Sequence, residues 1–460
     1  MKKLKFNTSL FIFRRDLRLY DNKGLSAALK NSKTVIPCYF LENQYLDKNK
    51  KLFYRPNSLQ FMFESLINLD IDLGSFGSRL NIFKGDLYKN FESFIGSMKI
   101  DAVFLNEDYS LYSQKRDKKL EKLCGDKKIY FYSFTDLILF KPGSVLNSNK
   151  KPYKVFSYFY KKILKEEVER PTTKIENNFY NKNLKNTFDI SKIRDLIVRN
   201  NFIEQKGGRN EAISTLENIS LFKNYSKERN FPFLDKTTKL SAHLKFGTIS
   251  SREFYWKIID TLGIEHSLVT ALIWREFYYH LGFAFPNVFY EPFIKKYKSL
   301  KWENDKMKFK AWCEGKTGFP IVDAGMRQLN KTGWMHNRVR MIVASFLVKD
   351  LHIDWRWGEQ YFRQRLVDYD VFSNNGGWQW SASTGADSQP YFRIFNPWKQ
   401  QRRFDPDSIY IKKWIPELKK YSSKEINNIF DKNVDNYPSP IVDHKVETEK
   451  TKEYFKKLSV

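Results

Sequence analysis

The 460-residue chain contains only three cysteines, Cys38, Cys124 and Cys313, far apart and outside any CxxC or Cys/His spacing. A disulfide framework or a structural zinc is therefore not expected, and no metal-ligand set stands out. No stretch approaches the roughly 18 consecutive apolar residues that a membrane span needs. The start, Met1-Lys2-Lys3-Leu4-Lys5, carries the charge of a secretory n-region. The apolar run behind it, residues 10–13, is cut off by Arg14-Arg15-Asp16, so it reads as a first strand and not as a signal segment. A cytoplasmic protein with no membrane partner is the expectation. No GxGxxG follows that strand, which removes a dinucleotide fingerprint there. Gly315-Lys316-Thr317 imitates the end of a P-loop, but the earlier glycine would fall at position 310, a lysine, and an ATPase is rejected on that ground. No internal repeat is present.

Acidic residues are in deficit: 52 Asp+Glu face 80 Lys+Arg, a formal charge of +28. A genomic lysine bias accounts for part of such a surplus, yet its size makes a polyanion, nucleic acid first, the partner to consider. Hydrophobic content of 42% with 17% aromatic residues excludes general disorder and predicts cores filled by rings. The length allows two or three domains.

Short β-rich apolar runs recur at 10–13, 35–41, 81–83, 100–105 and 129–134, with amphipathic segments such as 58–69 and 115–123 between them. This alternation predicts a doubly wound, Rossmann-like parallel α/β domain over residues 1–135. Arg14, Arg15, Asp16 and Arg18 close the first run and read as an ion-pair corner. Residues 136–206 loosen into a Pro-, Asn- and Lys-rich interdomain linker. From 207 to 460 helical periodicity takes over, predicting an all-α domain that ends in a charged helix, 445–457, with a solvated face.

The densest chemistry lies in residues 368–380, where Asp368, Asp370, Asn374 and Asn375 stand among Trp378, Trp380 and paired glycines. Buried polar groups need partners, so a polar-aromatic ligand is expected there. Five of the chain's 11 tryptophans fall between 334 and 380, which core building alone also produces. Thr237-Thr238-Lys239-Leu240-Ser241 opens a helical segment and offers hydroxyls, backbone N–H groups and an ammonium to an anion such as a pyrophosphate, although capping alone would explain it. On the helix after Trp334, Asn337, Arg340 and Met341 share a face opposite Val339, Ile342, Val343 and Phe346, a mixed surface suited to an electron-rich aromatic ligand. Trp274 beside Arg275 could stack on a base and hold a phosphate.

With these residues in place, the chain resembles the photolyase/cryptochrome family, most closely the class I cyclobutane pyrimidine dimer photolyases. The resemblance runs through Phe13 to Leu19, Lys239 to Gly247, Ile273 to Tyr278, Gly318 to Asp350 and Asn374 to Pro397. It implies an α/β antenna domain, a linker and a helical domain holding FAD, with excited reduced FAD lending an electron to a dimer in UV-damaged DNA. Carried over residue by residue, Tyr225 and Thr237 to Ser241 match phosphate and ribityl contacts of FAD. Arg340, Asp368 and Asp370 match flavin and ribose partners, and Asn374 matches the residue facing the flavin N5. Trp378, Trp355 and Trp302 match the electron-relay tryptophans. Trp274 and Trp380 match the pair gripping a flipped dimer, with Asn337 and Met341 nearby. Lys154, Arg229, Arg275, Arg338 and Arg393 fall in the DNA contact set. The protein is expected to work as a monomer.

Some positions depart from the pattern. Ala271 stands where a glutamate usually bonds the dimer, and Lys239 replaces an arginine. Tyr112-Ser113 and Phe289-Tyr290-Glu291 replace folate contacts, which argues against a folate antenna and leaves a deazaflavin, another flavin or none. A (6-4) photolyase would need a histidine pair where Asn337 and Met341 stand. A cryptochrome-type photoreceptor without repair activity is the main alternative function.

Overall fold

The computed structural model describes residues 5–50, 53–429 and 434–458, so Met1 to Leu4 of the signal-like start lie outside it. Five strands, β1 (Phe6–Phe13), β2 (Ser32–Glu42), β3 (Asn81–Gly85), β4 (Ala102–Asn106) and β5 (Tyr130–Phe134), make one sheet in the order β3-β2-β1-β4-β5. Every neighbouring pair is parallel. Parallel pairing requires crossovers, supplied by α1 (Lys23–Asn31), α2 (Pro56–Gly74), α3 (Leu87–Ser97) and α4 (Leu111–Asp126). Phe11 and Phe13 of β1 enter a core with α1 and α2, while Leu10 and Ile12 enter a second with α3 and α4. A strand buried on both faces explains why its sequence is continuously apolar. Strand order reverses between β1 and β4, which opens a crevice at their carboxyl ends.

Between β5 and the next domain the chain is mostly irregular, with one α-helix, α5 (Phe156–Ile163), a 3-10 helix over Ile190–Leu196, and isolated bridges from Phe179 to Val35 and from Phe188 to Ile82. Fourteen α-helices follow among the described residues, with short 3-10 turns between some of them and no strand. They are α6 (Arg209–Glu217), α7 (Tyr225–Glu228), α8 (Ser241–Phe246), α9 (Ser251–Leu262), α10 (Ser267–Ala284), α11 (Lys306–Glu314) and α12 (Pro320–Thr332), then α13 (Asn337–Lys349), α14 (Trp355–Arg365), α15 (Val371–Ala382), α16 (Pro397–Phe404), α17 (Ile409–Trp414), α18 (Ser423–Asn427) and α19 (His444–Lys457). The core of this region forms around α12 to α15. On α13 the expected inward face, Val339, Ile342, Val343 and Phe346, is fully buried.

The charged corner after β1 is structural, as expected. Arg18 meets Asp136 at 2.6 Å, and Arg252 of α9 meets Asp136 at 2.7 Å and Asp21 at 3.0 Å, all buried, which ties the sheet to the helices. The terminal helix departs from expectation. Thr451 and Phe455 of α19 are buried, the Thr451 hydroxyl donates to the Lys349 carbonyl at 2.6 Å, and Glu447 meets His352 at 2.7 Å. Glu447, Thr451 and Phe455 form one i, i+4 stripe that a count of charges conceals.

Candidate functional site

Lys239 adopts a left-handed backbone (φ 52°) at the turn into α8. Its ammonium is taken by Glu204 at 2.5 Å and Asp235 at 2.7 Å, which corrects the expectation of a cation kept for a phosphate. Burial lowers the Lys239 pKa, and the bonds to Asp235 and Glu204 outweigh it, leaving a firmly charged clamp. No side chain caps α8; Ser241 instead donates to Asp368 Oδ2 at 2.6 Å. A cavity of about 240 Å³ opens beside Thr237, Thr238, Lys239 and Leu240. Thr237 Oγ1 and Gln205 Oε1 are buried without hydrogen-bond partners. A buried unpaired hydroxyl costs free energy, so a donor of this kind fits an external oxygen acceptor. Tyr225 is half-buried nearby, with the Arg229 guanidinium 5.6 Å from its ring.

Asp368 is the hub of the next layer. Arg340 donates to both of its oxygens through Nη2, at 3.1 and 2.9 Å, while Arg340 Nε donates to the Met335 carbonyl at 2.8 Å. His336 caps α13 through Nδ1, and burial together with the charges of Arg340 and Arg338 pushes it down to about 4. It is therefore neutral, and its buried Nε2 has no partner.

Asp370 caps α15 by accepting from the Phe372 and Ser373 amides, each at 3.1 Å. Its other oxygen takes Arg15 at 2.6 Å and the Tyr279 hydroxyl at 2.5 Å. Burial raises its pKa, but the charges of Arg15 and Arg275 and the bond from Tyr279 prevail and hold it at about 2. The expectation that a ligand supplies the partners in residues 368–380 is thus corrected for two groups: Asp370 is satisfied by the protein, and Asn375 donates to the Val288 carbonyl at 2.9 Å. Asn374 donates to Glu359 Oε1 at 2.9 Å, which turns its amide oxygen the other way. Gly377 borders open space, whereas a Cβ on Gly376 would overlap the Tyr278 ring, so α10 and α15 touch closely here.

Trp378 and Trp355 are buried, and Trp302 is partly exposed at the edge of the same core. A Cβ on Gly358 would overlap the Trp378 ring, which seats Trp378 on α14 one turn from Trp355. Trp302 also packs into the cluster around Phe455 at the periphery. A fourth ring, Trp312, is buried 6.1 Å from Trp378 and donates its N–H to the Val343 carbonyl.

Toward solvent, Trp274 and Trp380 are half-buried. Each lies four residues from the α10–α15 contact at Tyr278 and Gly376. Trp274 stacks on Phe156 at 3.7 Å, and Trp380 lies 6.4 Å from Phe395. Asn337, Lys154 and Arg393 are exposed, Met341 is half-buried, and Arg338 donates to Asn230 at 2.8 Å. Arg275 points inward: its guanidinium donates to the Leu137 and Leu244 carbonyls at 3.1 and 3.2 Å, which removes it from the DNA contact set. The neighbouring Glu276, buried and pushed up to about 7, accepts from the Leu139 amide at 3.0 Å. Both residues serve the domain junction, which their position beside Trp274 did not reveal.

A larger cavity, about 340 Å³, occupies the crevice at the carboxyl ends of β1, β2 and β4. Arg14, Arg15, Glu42, Arg55, Tyr112, Ser113 and Arg116 line it from the sheet side, and Arg363 and Asp370 from the helices. Arg116 Nη2 and Arg14 Nε are buried without partners.

Residues 9–176 match the family model described as DNA photolyase, and residues 268–457 match the FAD binding domain of DNA photolyase. The deoxyribodipyrimidine photo-lyase of Vibrio cholerae is 36% identical over 96% of this chain and 98% of its own length. An archaeal photolyase from Sulfolobus tokodaii, described with two FAD molecules, superposes with a TM-score of 0.88 at 39% identity, covering 98% of this chain and all of the other. A class III photolyase from Agrobacterium tumefaciens superposes with a TM-score of 0.91 at 32% identity, covering all of this chain and 99% of the other. Near full-length agreement in sequence and fold, over both matched domains, places the chain in the photolyase/cryptochrome family, with FAD as its cofactor.

Proposed function

We infer that this chain is a deoxyribodipyrimidine photo-lyase that repairs cyclobutane pyrimidine dimers in DNA with blue light. The observation that carries the reading is the placement of Trp274 on α10 and Trp380 on α15, both half-exposed and each one helical turn along its helix from the contact between Tyr278 and Gly376. Two aromatic walls at a mouth suit a base that has left the stack, and leaving is easiest at a damaged step. Bound reduced FAD supplies, on excitation, the electron that splits the dimer and is then returned.

The chain's own groups prepare that exchange. Thr237, Thr238 and backbone N–H groups at the turn into α8 receive the pyrophosphate. The Arg340–Asp368 pair would present a guanidinium and a carboxylate to the polar ring edge, and the nearby cation favours negative charge on the ring. Asn374, whose amide nitrogen donates to Glu359, would offer its amide oxygen to the N5–H that oxidised flavin lacks. Trp378, Trp355 and Trp302 would pass an electron from an external reductant at the periphery inward to oxidised flavin. Exposed Lys154 and Arg393, with half-buried Arg338 and Arg229, hold phosphates, in keeping with the +28 charge.

The larger cavity takes a second, light-gathering chromophore. Unpartnered guanidinium nitrogens beside Tyr112 call for a planar aromatic ligand carrying acidic groups. Tyr112 bonds Glu42 at 2.7 Å and Ser113 bonds Asp108 at 2.9 Å, so neither is available to a folate. Extraction of purified protein should release a flavin or deazaflavin in addition to one FAD.

The deciding assay is repair of a thymine-dimer oligonucleotide by chemically reduced protein, anaerobically, in blue light and in matched darkness. Light-dependent recovery of intact thymines is expected. A flavin-loaded, DNA-binding protein with no light-dependent recovery would instead be a cryptochrome-type receptor.

A further inference from the structure

Phe156 lies flat on Trp274, 3.7 Å away with an interplanar angle of 5°. The same residue opens α5, in the segment joining the two domains, and its backbone N–H donates to Asp387 Oδ2 at 3.0 Å. The first amides of a helix have no partner within it, and a carboxylate there is favoured by the helix dipole as well. Asp387 stands seven residues beyond Trp380, in a left-handed backbone conformation (φ 48°). Phe156 therefore contacts one tryptophan through its ring and the loop behind the other through its amide.

α5 has little freedom to shift. Phe159 and Ile163 are buried, and Phe159 packs against Phe277, one turn beyond Trp274, at 5.5 Å. Phe277 also meets Trp274 edge-on at 5.7 Å, and Tyr278 leans on it at 5.6 Å. With Phe156 on one face, only the opposite face of the Trp274 indole is left for a base. A dimer, puckered by its four-membered ring, is thicker than one flat base, so the gap between the walls bears on which of the two is held.

We propose that Phe156 and Asp387 are a positioning pair that fixes the gap between Trp274 and Trp380 and thereby sets the preference for a flipped dimer over an undamaged base. This rests on the reading of the two tryptophans as the walls of the dimer pocket. Phe156 itself touches neither substrate nor flavin. Its action is preorganisation: a wall already locked need not be immobilised on binding, which is worth about three- to tenfold in affinity.

The test uses full-length, flavin-loaded protein and two oligonucleotides that differ only in one thymine dimer. Phe156→Ala, Phe156→Leu and Asp387→Gly, the last removing the acceptor while tolerating the left-handed backbone, should each weaken binding to the dimer strand about three- to tenfold, with affinity for the intact strand and repair at saturating dimer unchanged. Phe156→Tyr, which keeps the flat ring, should restore wild-type preference. Equal weakening on both strands would reduce Phe156 to scaffold and overturn the proposal, as would unchanged binding in Phe156→Ala and Phe156→Leu. Trp274→Ala is the control: preserved dimer preference in that variant removes the pocket reading itself. Lost preference there with wild-type behaviour in the Phe156 variants removes only the positioning role.

Discussion

Replacing Asp370 by Asn tests the junction between the domains directly. Asparagine also caps helices, so the Phe372 and Ser373 amides keep an acceptor and the change removes the bonds of the other oxygen to Arg15 and Tyr279. Asp370 is held at about 2 against an ordinary value of 3.8, a difference worth about 2.5 kcal/mol at 1.36 kcal/mol per pKa unit. Loss of one member of a buried pair costs about 3 to 5 kcal/mol. Arg15 keeps a second carboxylate, Asp108, at 3.4 Å, which puts the expected loss near the lower figure, about 2.5 kcal/mol at pH 7. The sign with pH follows. A carboxyl whose folded pKa is depressed stabilises fully above its unfolded value, and the contribution fades as pH falls from about 4 toward 2. Urea unfolding of the two proteins should therefore differ at pH 7 and converge near pH 2. A difference under about 1 kcal/mol at pH 7 would refute the reasoning. Unchanged stability with loss of flavin would return Asp370 to the cofactor contacts expected from the sequence.

Three further outcomes can be measured independently. Trp378→Phe should block photoreduction of oxidised flavin while repair by chemically reduced enzyme persists; because Trp378 Nε1 has no partner, only packing is lost, about 1 to 3 kcal/mol, and equal loss of both activities would sink the relay. Ala271→Glu should strengthen dimer binding about tenfold or raise repair yield, since one hydrogen bond to a buried ligand is worth about 1 to 3 kcal/mol; no gain would mean that another group already fills that role. Lys349, pushed down to about 7 by burial, has a Phe455 ring 3.8 Å away and the Ala382 carbonyl at 3.4 Å. Lys349→Met should stabilise the fold most below pH 7, with the gain shrinking as pH rises toward 10.5, and thermal unfolding across that range would check it.

The sheet was legible because its cause is local: each strand is a short apolar run, and β1 is buried on both faces, which writes itself into consecutive residues. The inward face of α13 was legible for the same reason at helical spacing. The partners of polar groups were not. Arg15 and Asp370 lie 355 residues apart, so nothing near Asp370 signals that its charge is already matched. Lys239 looked available because Glu204 lies outside its motif, and Arg275 looked outward-facing because its acceptors are backbone carbonyls, which carry no residue identity. The terminal helix α19 was misjudged because lysines flank a stripe of only three buried residues.

The Arg15–Asp370 bond has an optical consequence. Both residues line the larger cavity, and Asp370 also starts the helix that carries Asn374. Energy passed between two chromophores falls steeply with separation and depends on the angle between their transition dipoles. With a light-gathering chromophore in that cavity, as proposed above, one ion pair would be a shared mount for it and the flavin, and breathing between the domains would register as lost transfer efficiency before any loss of repair chemistry.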